Sequence, residues 1–272
     1  CAHMLFITAL ATISWLQARD ALRPALKLRG GLAGVDADLA AKSVLALSAL
    51  NGGYLTLAPK PASEAYGMLS ATEMQVSMIE SMGALTLGMA IAGFFALSGT
   101  QPHKVTAYAL ILPLVNTAKW LLNGTGKKLG MPNKGQYING GIMAVAIYCL
   151  LTNTGDADVI LKAVAAWWGF NGLMAFAAPD KLASAYGLET MDSDLTALMQ
   201  SLGSFLLNFA VFTYLYSTGT PTAKAVGQSC VPGLICVLDQ QFGRKMSVAN
   251  LDANTQIFWV AVMAAAIVFT NF

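Results

Sequence analysis

The chain has 272 residues, of which 56% are hydrophobic and only 11% are charged, and its mean hydropathy is +0.58. Soluble domains carry about 25% charged residues, so this composition excludes a water-soluble globule and indicates an integral membrane protein. The 16 basic and 14 acidic residues nearly balance and form no basic stripe, which excludes a nucleic-acid-binding protein. The 4 cysteines show no CxxC spacing, so neither a disulfide framework nor a zinc site is expected.

Residues 1–35 form a separate N-terminal segment. Residues 2–16 are an apolar run that would be about 22 Å long as a helix, shorter than the roughly 30 Å hydrocarbon core of a bilayer. We expect either a truncated span or a helix in the membrane interface. Residues 17–35 carry basic side chains on leucine- and alanine-rich sequence, which is typical of a membrane-surface stretch. Because the chain opens with Cys1 rather than methionine, we expect that a leader preceded it.

From residue 36 onward the sequence contains the same pattern twice, at a constant offset of 120 residues and without a gap. The Asp-Ala-Asp at 36–38 returns at 156–158, and the Ala-Tyr-Gly at 65–67 returns at 185–187. Further identical pairs keep the register to the end of the chain: Asn51/Asn171, Gly52/Gly172, Pro59/Pro179, Ser81/Ser201, Gly83/Gly203, Gln136/Gln256 and Met143/Met263. The chain therefore contains a duplicated unit, with a first repeat at 36–155 and a second at 156–272.

Each repeat contains four apolar stretches long enough for a tilted helix to cross a membrane. We predict spans at about 38–58, 74–98, 103–123 and 135–152, and again at about 158–178, 194–217, 221–241 and 254–272. Because four is an even number, both repeats enter the membrane from the same side and form parallel halves about an axis along the membrane normal. The predicted fold is an all-α integral membrane protein of two tandem parallel four-helix units, about eight spans, preceded by an N-terminal apolar or interfacial helix.

Ionisable residues within the predicted spans are few. Glu80 in the second span and Lys119 near the end of the third lie toward the same membrane face, so we predict that they pair. The second repeat has Gln200 and Asp239 at these positions, which predicts a hydrogen bond in place of the ion pair. An intramembrane carboxylate is by default a functional candidate, but for Glu80 we favour a structural ion pair over a functional role.

Asn51 and Asn171 occupy identical positions in the first span of each repeat. An interhelical hydrogen bond, worth about 0.6–2 kcal/mol in a membrane, explains such an amide. A role in binding is the other interpretation. The only histidines, His3 and His103, both lie near predicted membrane interfaces, and they are too few for a haem pair or a copper centre.

The sequence lacks the usual signatures of catalysis. No phosphate loop, HExxH or Gly-x-Ser-x-Gly occurs, and no GxGxxG follows a strand. The predicted loops are short and leave no water-exposed domain for an active site. We therefore expect a protein that is not an enzyme.

The tandem four-helix plan over 36–272 resembles the accessory membrane subunits of algal photosystem I–antenna supercomplexes. It does not match the light-harvesting family itself, which pairs glutamate with arginine across two helices, because no predicted span contains an arginine. The resemblance implies a structural or linker subunit of the chloroplast thylakoid, with photosystem core and antenna proteins as partners. It also implies bound lipids, chlorophyll and carotenoid, and the candidate pigment contacts are then Glu80, Gln200, Asn51, Asn171 and His103.

Other functions stay open at this point. Parallel repeats also occur in carriers of small molecules or lipids, where Asn51 and Asn171 would line a midplane site. The matched helix breaks that carriers usually show are limited here to Pro113 and Pro232-Gly233. An accessory subunit of a respiratory complex in the mitochondrial inner membrane fits the same pattern. An integral membrane enzyme of lipid metabolism comes last, because catalytic groups are lacking.

Overall fold

The computed structural model describes residues 36–129, 134–188, 191–242 and 253–271, and all regular elements in these ranges are helices. The predicted N-terminal segment 1–35 lies outside the described residues. The described helices are α1 Ala37–Leu57, α2 Pro59–Ala65, α3 Glu73–Leu97, α4 Pro102–Leu122, α5 Thr125–Lys128, α6 Lys134–Thr152, α7 Ala157–Ala177, α8 Pro179–Ala185, α9 Ser193–Ser217, α10 Thr222–Ser229, α11 Val231–Phe242 and α12 Ala253–Asn271. The prediction of an all-helical chain is confirmed for this part of the molecule.

The helices of the two repeats begin and end at matching positions. The 21, 7 and 25 residues of α1, α2 and α3 recur 120 residues later as α7, α8 and α9. Asp36 and Asp156 cap α1 and α7, and each carboxylate accepts the N–H of the residue two positions later at 2.9 Å. Gly67 and Gly187 follow α2 and α8 with φ of +94° and +83°, a conformation that glycine adopts without strain. Several repeated residues therefore set helix ends.

Six described helices are long and apolar enough to cross a membrane: α3, α4, α6, α7, α9 and residues Asn254–Asn271 of α12. Two of the eight predicted spans are not in this set. The first, α1, is as long as α7 and shares its aspartate and lysine near the start, but it is more polar because it has Ser43 and Thr56 where α7 has Ala163 and Phe176. The second is the stretch predicted at 221–241, which is divided between α10 and α11.

The division between α10 and α11 has a local cause. Pro232 lacks an N–H, and its ring clashes with the carbonyl four residues earlier in a regular helix. Gly233 follows it and adds conformational freedom. The Gly233 N–H is satisfied from outside the helix, by Asn208 Oδ1 of α9 at 3.0 Å. In α4 the related Pro113 lies within a continuous helix.

Helices α3 and α9 form the centre of the bundle. They pack against each other, and 61% of the apolar stretch of each is buried, more than in the other candidate spans. Each contact between the halves has a counterpart in which the two repeats change places. Helix α1 of the first repeat packs on α12 of the second, and α7 of the second repeat packs on α6 of the first. In the same way, α1 packs on α10 and α7 packs on α4. The two halves therefore pack with an approximate twofold relation.

Candidate functional site

Two cavities lie between the halves of the bundle. The first cavity, of about 160 Å³, is lined by α1 and α3 of the first repeat and by α9 to α12 of the second. The second cavity, of about 220 Å³, is lined by α7 and α9 of the second repeat and by α3, α4 and α6 of the first. The two sets of helices correspond under the repeat, so the cavities are related sites.

Four uncharged polar positions that are identical in the repeats line both cavities: an asparagine, a tyrosine, a serine and a glutamine. The first cavity has Asn51, Tyr66, Ser201 and Gln256, and the second has Asn171, Tyr186, Ser81 and Gln136. Met263 and Met143, also a repeated pair, face the same two spaces. Most other lining residues are apolar, so each cavity is a mainly apolar space with a repeated set of hydrogen-bonding groups.

A chain of hydrogen bonds joins three residues that line the first cavity. The Tyr66 hydroxyl donates to Asn51 Oδ1 at 2.8 Å and accepts from Trp259 Nε1 at 3.1 Å. Tyr66 lies in the connection between α2 and α3, and burial raises the pKa of its hydroxyl above the ordinary value. The hydroxyl therefore stays protonated at neutral pH and holds Asn51 in place.

The serine of the first cavity is also engaged. Gln240 Nε2 donates to Ser201 Oγ at 2.9 Å and to the Ala197 carbonyl at 3.1 Å. These bonds connect α11 with α9 beside the cavity.

The second cavity uses the same positions with different bonds. Asn139 Nδ2, at the position that matches Trp259, donates to the Tyr186 hydroxyl at 2.6 Å. Asn171 Nδ2 donates to the Trp167 carbonyl of its own helix at 2.8 Å. Asn116 Nδ2 donates to Ser81 Oγ at 2.9 Å. Tyr186 is therefore hydrogen-bonded to α6 through Asn139, while Asn171 is bonded within α7 and not to the tyrosine.

Two polar atoms of residues around the second cavity are buried without a hydrogen-bond partner in the described part of the chain. They are Gln136 Oε1 and Trp120 Nε1, and both residues line the cavity. Most buried polar groups in proteins are hydrogen-bonded, so an unpaired one calls for an explanation.

The structure separates the five predicted site residues into two groups. Asn51 and Asn171 line the cavities, but they lie in different cavities and do not share one midplane site. Glu80, Gln200 and His103 line neither cavity. His103 lies at the start of α4, where its Nε2 is buried without a hydrogen-bond partner.

The ion pair between Glu80 and Lys119 is confirmed. The predicted bond between Gln200 and Asp239 is wrong. Gln200 Nε2 donates instead to the Phe176 carbonyl at 3.2 Å, because Gln200 is buried against α7 while Asp239 is exposed.

Sequence reasoning did not identify the tyrosine, serine and glutamine as site residues. In the sequence, the tyrosine, the serine and the glutamine serve only to establish the repeat. Their signal was nevertheless present, because these uncharged polar residues are identical in both repeats and lie within or beside predicted spans.

Comparison with protein-family models, with curated proteins and with solved structures found no match for this chain.

Proposed function

We propose that this chain is a non-catalytic integral membrane protein that holds two small, mainly apolar molecules, one in each cavity. The observation that carries the proposal is the position of the repeated polar residues. The asparagine, tyrosine, serine and glutamine that are identical in both halves surround the two cavities. Apolar residues of suitable size would be sufficient for packing at such positions, so packing does not explain why these residues are polar.

The lining chemistry supports binding rather than acid–base catalysis. The described lining residues supply amide and hydroxyl groups, and they include no carboxylate, histidine, lysine or arginine. Small-molecule sites typically combine apolar walls with a few such polar groups that orient the ligand. The bound molecule is therefore held by apolar contact and by hydrogen bonds.

The volumes limit the size of what the cavities enclose. An apolar cavity of about 150 Å³ holds a benzene-sized molecule, close to the first cavity at about 160 Å³. Sites that enclose drug-sized ligands measure about 300–1,000 Å³. Each cavity thus takes a ring or the end of a longer molecule, and a whole tetrapyrrole does not fit inside.

The proposal includes a topology of eight spans in two parallel halves. Helix α1 is too polar to be counted as a span by composition, but it has the same length as α7 and lies at the matching position in its repeat. Because α7 is apolar enough to cross the membrane, this match supports a crossing by α1 as well. The broken pair α10 and α11 corresponds to the candidate span α4. Broken helices occur at membrane depth where neighbouring side chains satisfy the freed backbone groups, as Asn208 does for Gly233. In this topology Tyr66 and Tyr186 lie at the same membrane face.

Counting bound molecules in variants tests the proposal. The chain is purified from its native membrane, extracted with organic solvent, and the small molecules are quantified by mass spectrometry. We expect about two equivalents per chain, and about one in Met143→Trp or Met263→Trp, because the indole fills one cavity. Val145→Trp is the matched control, because Val145 is 64% exposed on the same helix as Met143. Unchanged amounts in both cavity variants would contradict the proposal.

A second candidate is an assembly role within a photosystem–antenna complex of the thylakoid. The observation that favours it is the exposure of α6, in which only 17% of the apolar stretch is buried, the smallest share among the candidate spans. Tyr137, Val145 and Tyr148 project from this helix. Chlorophyll and carotenoid would then lie against the outer surface, between this chain and its neighbours.

Gentle solubilisation of the native membrane tests the second candidate. Comigration with a large, red-absorbing complex supports it, and comigration with a colourless or haem-containing respiratory complex places the chain in the mitochondrion instead. Migration alone as a small, colourless particle contradicts an assembly role.

A further inference from the structure

The two cavities differ in how their lining residues are hydrogen-bonded. In the second cavity Gln136 Oε1 is an unpaired acceptor and Trp120 Nε1 is an unpaired donor. Gln136 is only 9% exposed, so water outside the bundle does not readily satisfy it. Leaving a buried donor or acceptor unpaired costs free energy that a bonded partner recovers.

The first cavity shows how the same positions are satisfied. Gln240, which matches Trp120, donates to Ser201 Oγ and to the Ala197 carbonyl. Gln256, which matches Gln136, is engaged as well. The unpaired atoms are therefore specific to the second cavity.

Trp120 does not repeat the arrangement of the first cavity. The serine that matches Ser201 is Ser81, and Asn116 rather than Trp120 donates to it. An indole has a single N–H and no acceptor, so Trp120 needs an acceptor from elsewhere. No described side chain or carbonyl supplies one.

We propose that the second cavity binds the hydroxyl-bearing end of an apolar alcohol. This inference rests on the proposed function and names the ligand class for one of its two sites. A hydroxyl both accepts and donates, so it offers the acceptor that Trp120 Nε1 lacks and the donor that Gln136 Oε1 lacks. An ether or ketone accepts only and leaves Gln136 unpaired, and a hydrocarbon satisfies neither atom.

The remaining walls fit the apolar part of such a molecule. Methionines and leucines surround the space: Met74, Met78, Leu182, Leu188, Met199 and Leu202. Methionine side chains are flexible and adapt to irregular apolar shapes. At about 220 Å³ the cavity exceeds the roughly 150 Å³ that holds benzene, so a saturated six-membered ring with its hydroxyl fits.

The test compares cyclohexanol with cyclohexane on the full chain in lipid nanodiscs. The chain is labelled with ¹⁵N-tryptophan, and the indole signal of Trp120 is assigned by its loss in Trp120→Phe. We expect cyclohexanol to move this signal downfield and cyclohexane to leave it unmoved. After correction for partitioning into lipid, the alcohol should bind the second cavity at least about tenfold more tightly.

Variants at the two glutamines identify the cavity responsible. Gln136→Leu should reduce the preference for the alcohol, because only the hydrogen bond from Trp120 Nε1 then remains. Gln256→Leu, the same change in the first cavity, should leave the preference and the Trp120 shift intact. If Gln136→Leu does not fold, Trp120→Phe provides the test through affinity alone, because it removes the donor and should reduce the preference.

The outcomes separate this inference from the proposed function. Equal binding of both probes with an unmoved Trp120 signal would overturn the alcohol assignment and leave ligand binding standing. Failure of both probes to enter either cavity would contradict both.

Discussion

Gly52 of α1 and Gly83 of α3 pack backbone against backbone. A methyl group on Gly52 would lie 2.6 Å from Leu87 N and 3.1 Å from the Gly83 carbonyl oxygen, so no side chain fits there. Small residues allow helices in a membrane to approach this closely. Because Asn51 directly precedes Gly52, the crossing also fixes where this amide enters the first cavity.

The same crossing occurs in the second half of the molecule. A methyl group on Gly172 of α7 would lie 2.8 Å from the carbonyl oxygen of Gly203 in α9. Asn171 directly precedes Gly172. The repeated glycines therefore position both asparagines in the same way.

Alanine substitutions at neighbouring glycines should have different effects. Gly52→Ala should lower the free energy of unfolding by about 1–3 kcal/mol, as is typical when a packed interface is overfilled. Gly53→Ala should be neutral or stabilising, because nothing lies within 4 Å of the added methyl group and alanine is the better helix former. Thermal unfolding in detergent measures both, and equal destabilisation would contradict the described crossing.

The ion pair between Glu80 and Lys119 should contribute to stability. Lys119→Met leaves the Glu80 side chain, which is 12% exposed, without its partner. The resulting loss in the free energy of unfolding should fall between the roughly 0.2–1 kcal/mol typical of exposed ion pairs and the roughly 3–5 kcal/mol for breaking buried ones. Adding Glu80→Gln should recover part of it, since the second repeat has glutamine at this position. Lys127→Met, at an exposed lysine, is the control, and an unchanged melting profile in Lys119→Met would count against the pair.

Asn208 should stabilise the break between α10 and α11. Asn208→Leu leaves the buried Gly233 N–H unpaired and should cost about 1–3 kcal/mol. Thr213→Val on the same helix is the matched control, because the Thr213 hydroxyl is buried without a partner and its removal should be neutral or stabilising. Chemical unfolding of the two variants compares them. A neutral Asn208→Leu would mean that the break is satisfied in another way.

Tyr66 should make the stability depend on pH in the alkaline range. Burial raises the pKa of its hydroxyl in the folded chain, while the unfolded chain titrates near the ordinary value of about 10. The stabilisation is therefore complete below about pH 10 and is lost as the pH rises through the folded-state pKa. Tyr66→Phe should remove this part of the alkaline loss, whereas Tyr137→Phe, on the exposed side of α6, should not. Unfolding at a series of alkaline pH values gives the comparison, and identical profiles for wild type and Tyr66→Phe would contradict it.

The internal repeat made much of the helical framework predictable from the sequence. The identical Asp-Ala-Asp and Ala-Tyr-Gly motifs act locally, through a side-chain cap and a left-handed glycine, so they indicate helix ends without knowledge of the fold. The pair between Glu80 and Lys119 was also predictable, because both residues lie near one face on adjacent spans. By contrast, α10 and α11 were predicted as one span although Pro232-Gly233 is visible in the sequence as a helix break. The sequence does not show whether a proline stays within a continuous helix, as Pro113 does, or lies where two helices are divided.

The cavities were not predictable in the same way. They form because α1 and α3 of one half meet α9 to α12 of the other, and this pairing depends on packing between distant parts of the chain. Tyr66 and Trp259, whose side chains are bonded, are 193 residues apart. Gln200 shows the same limit, since its partner is a main-chain carbonyl that no side-chain pattern reveals.

The most direct test of the central claim is a high-resolution experimental structure of the chain purified from its native membrane with bound molecules retained. We expect non-protein density in both cavities, in contact with Asn51 in the first and with Asn171 in the second. In the second cavity the density should reach Gln136 and Trp120. Two cavities that are empty, or filled by repacked side chains, would contradict the account.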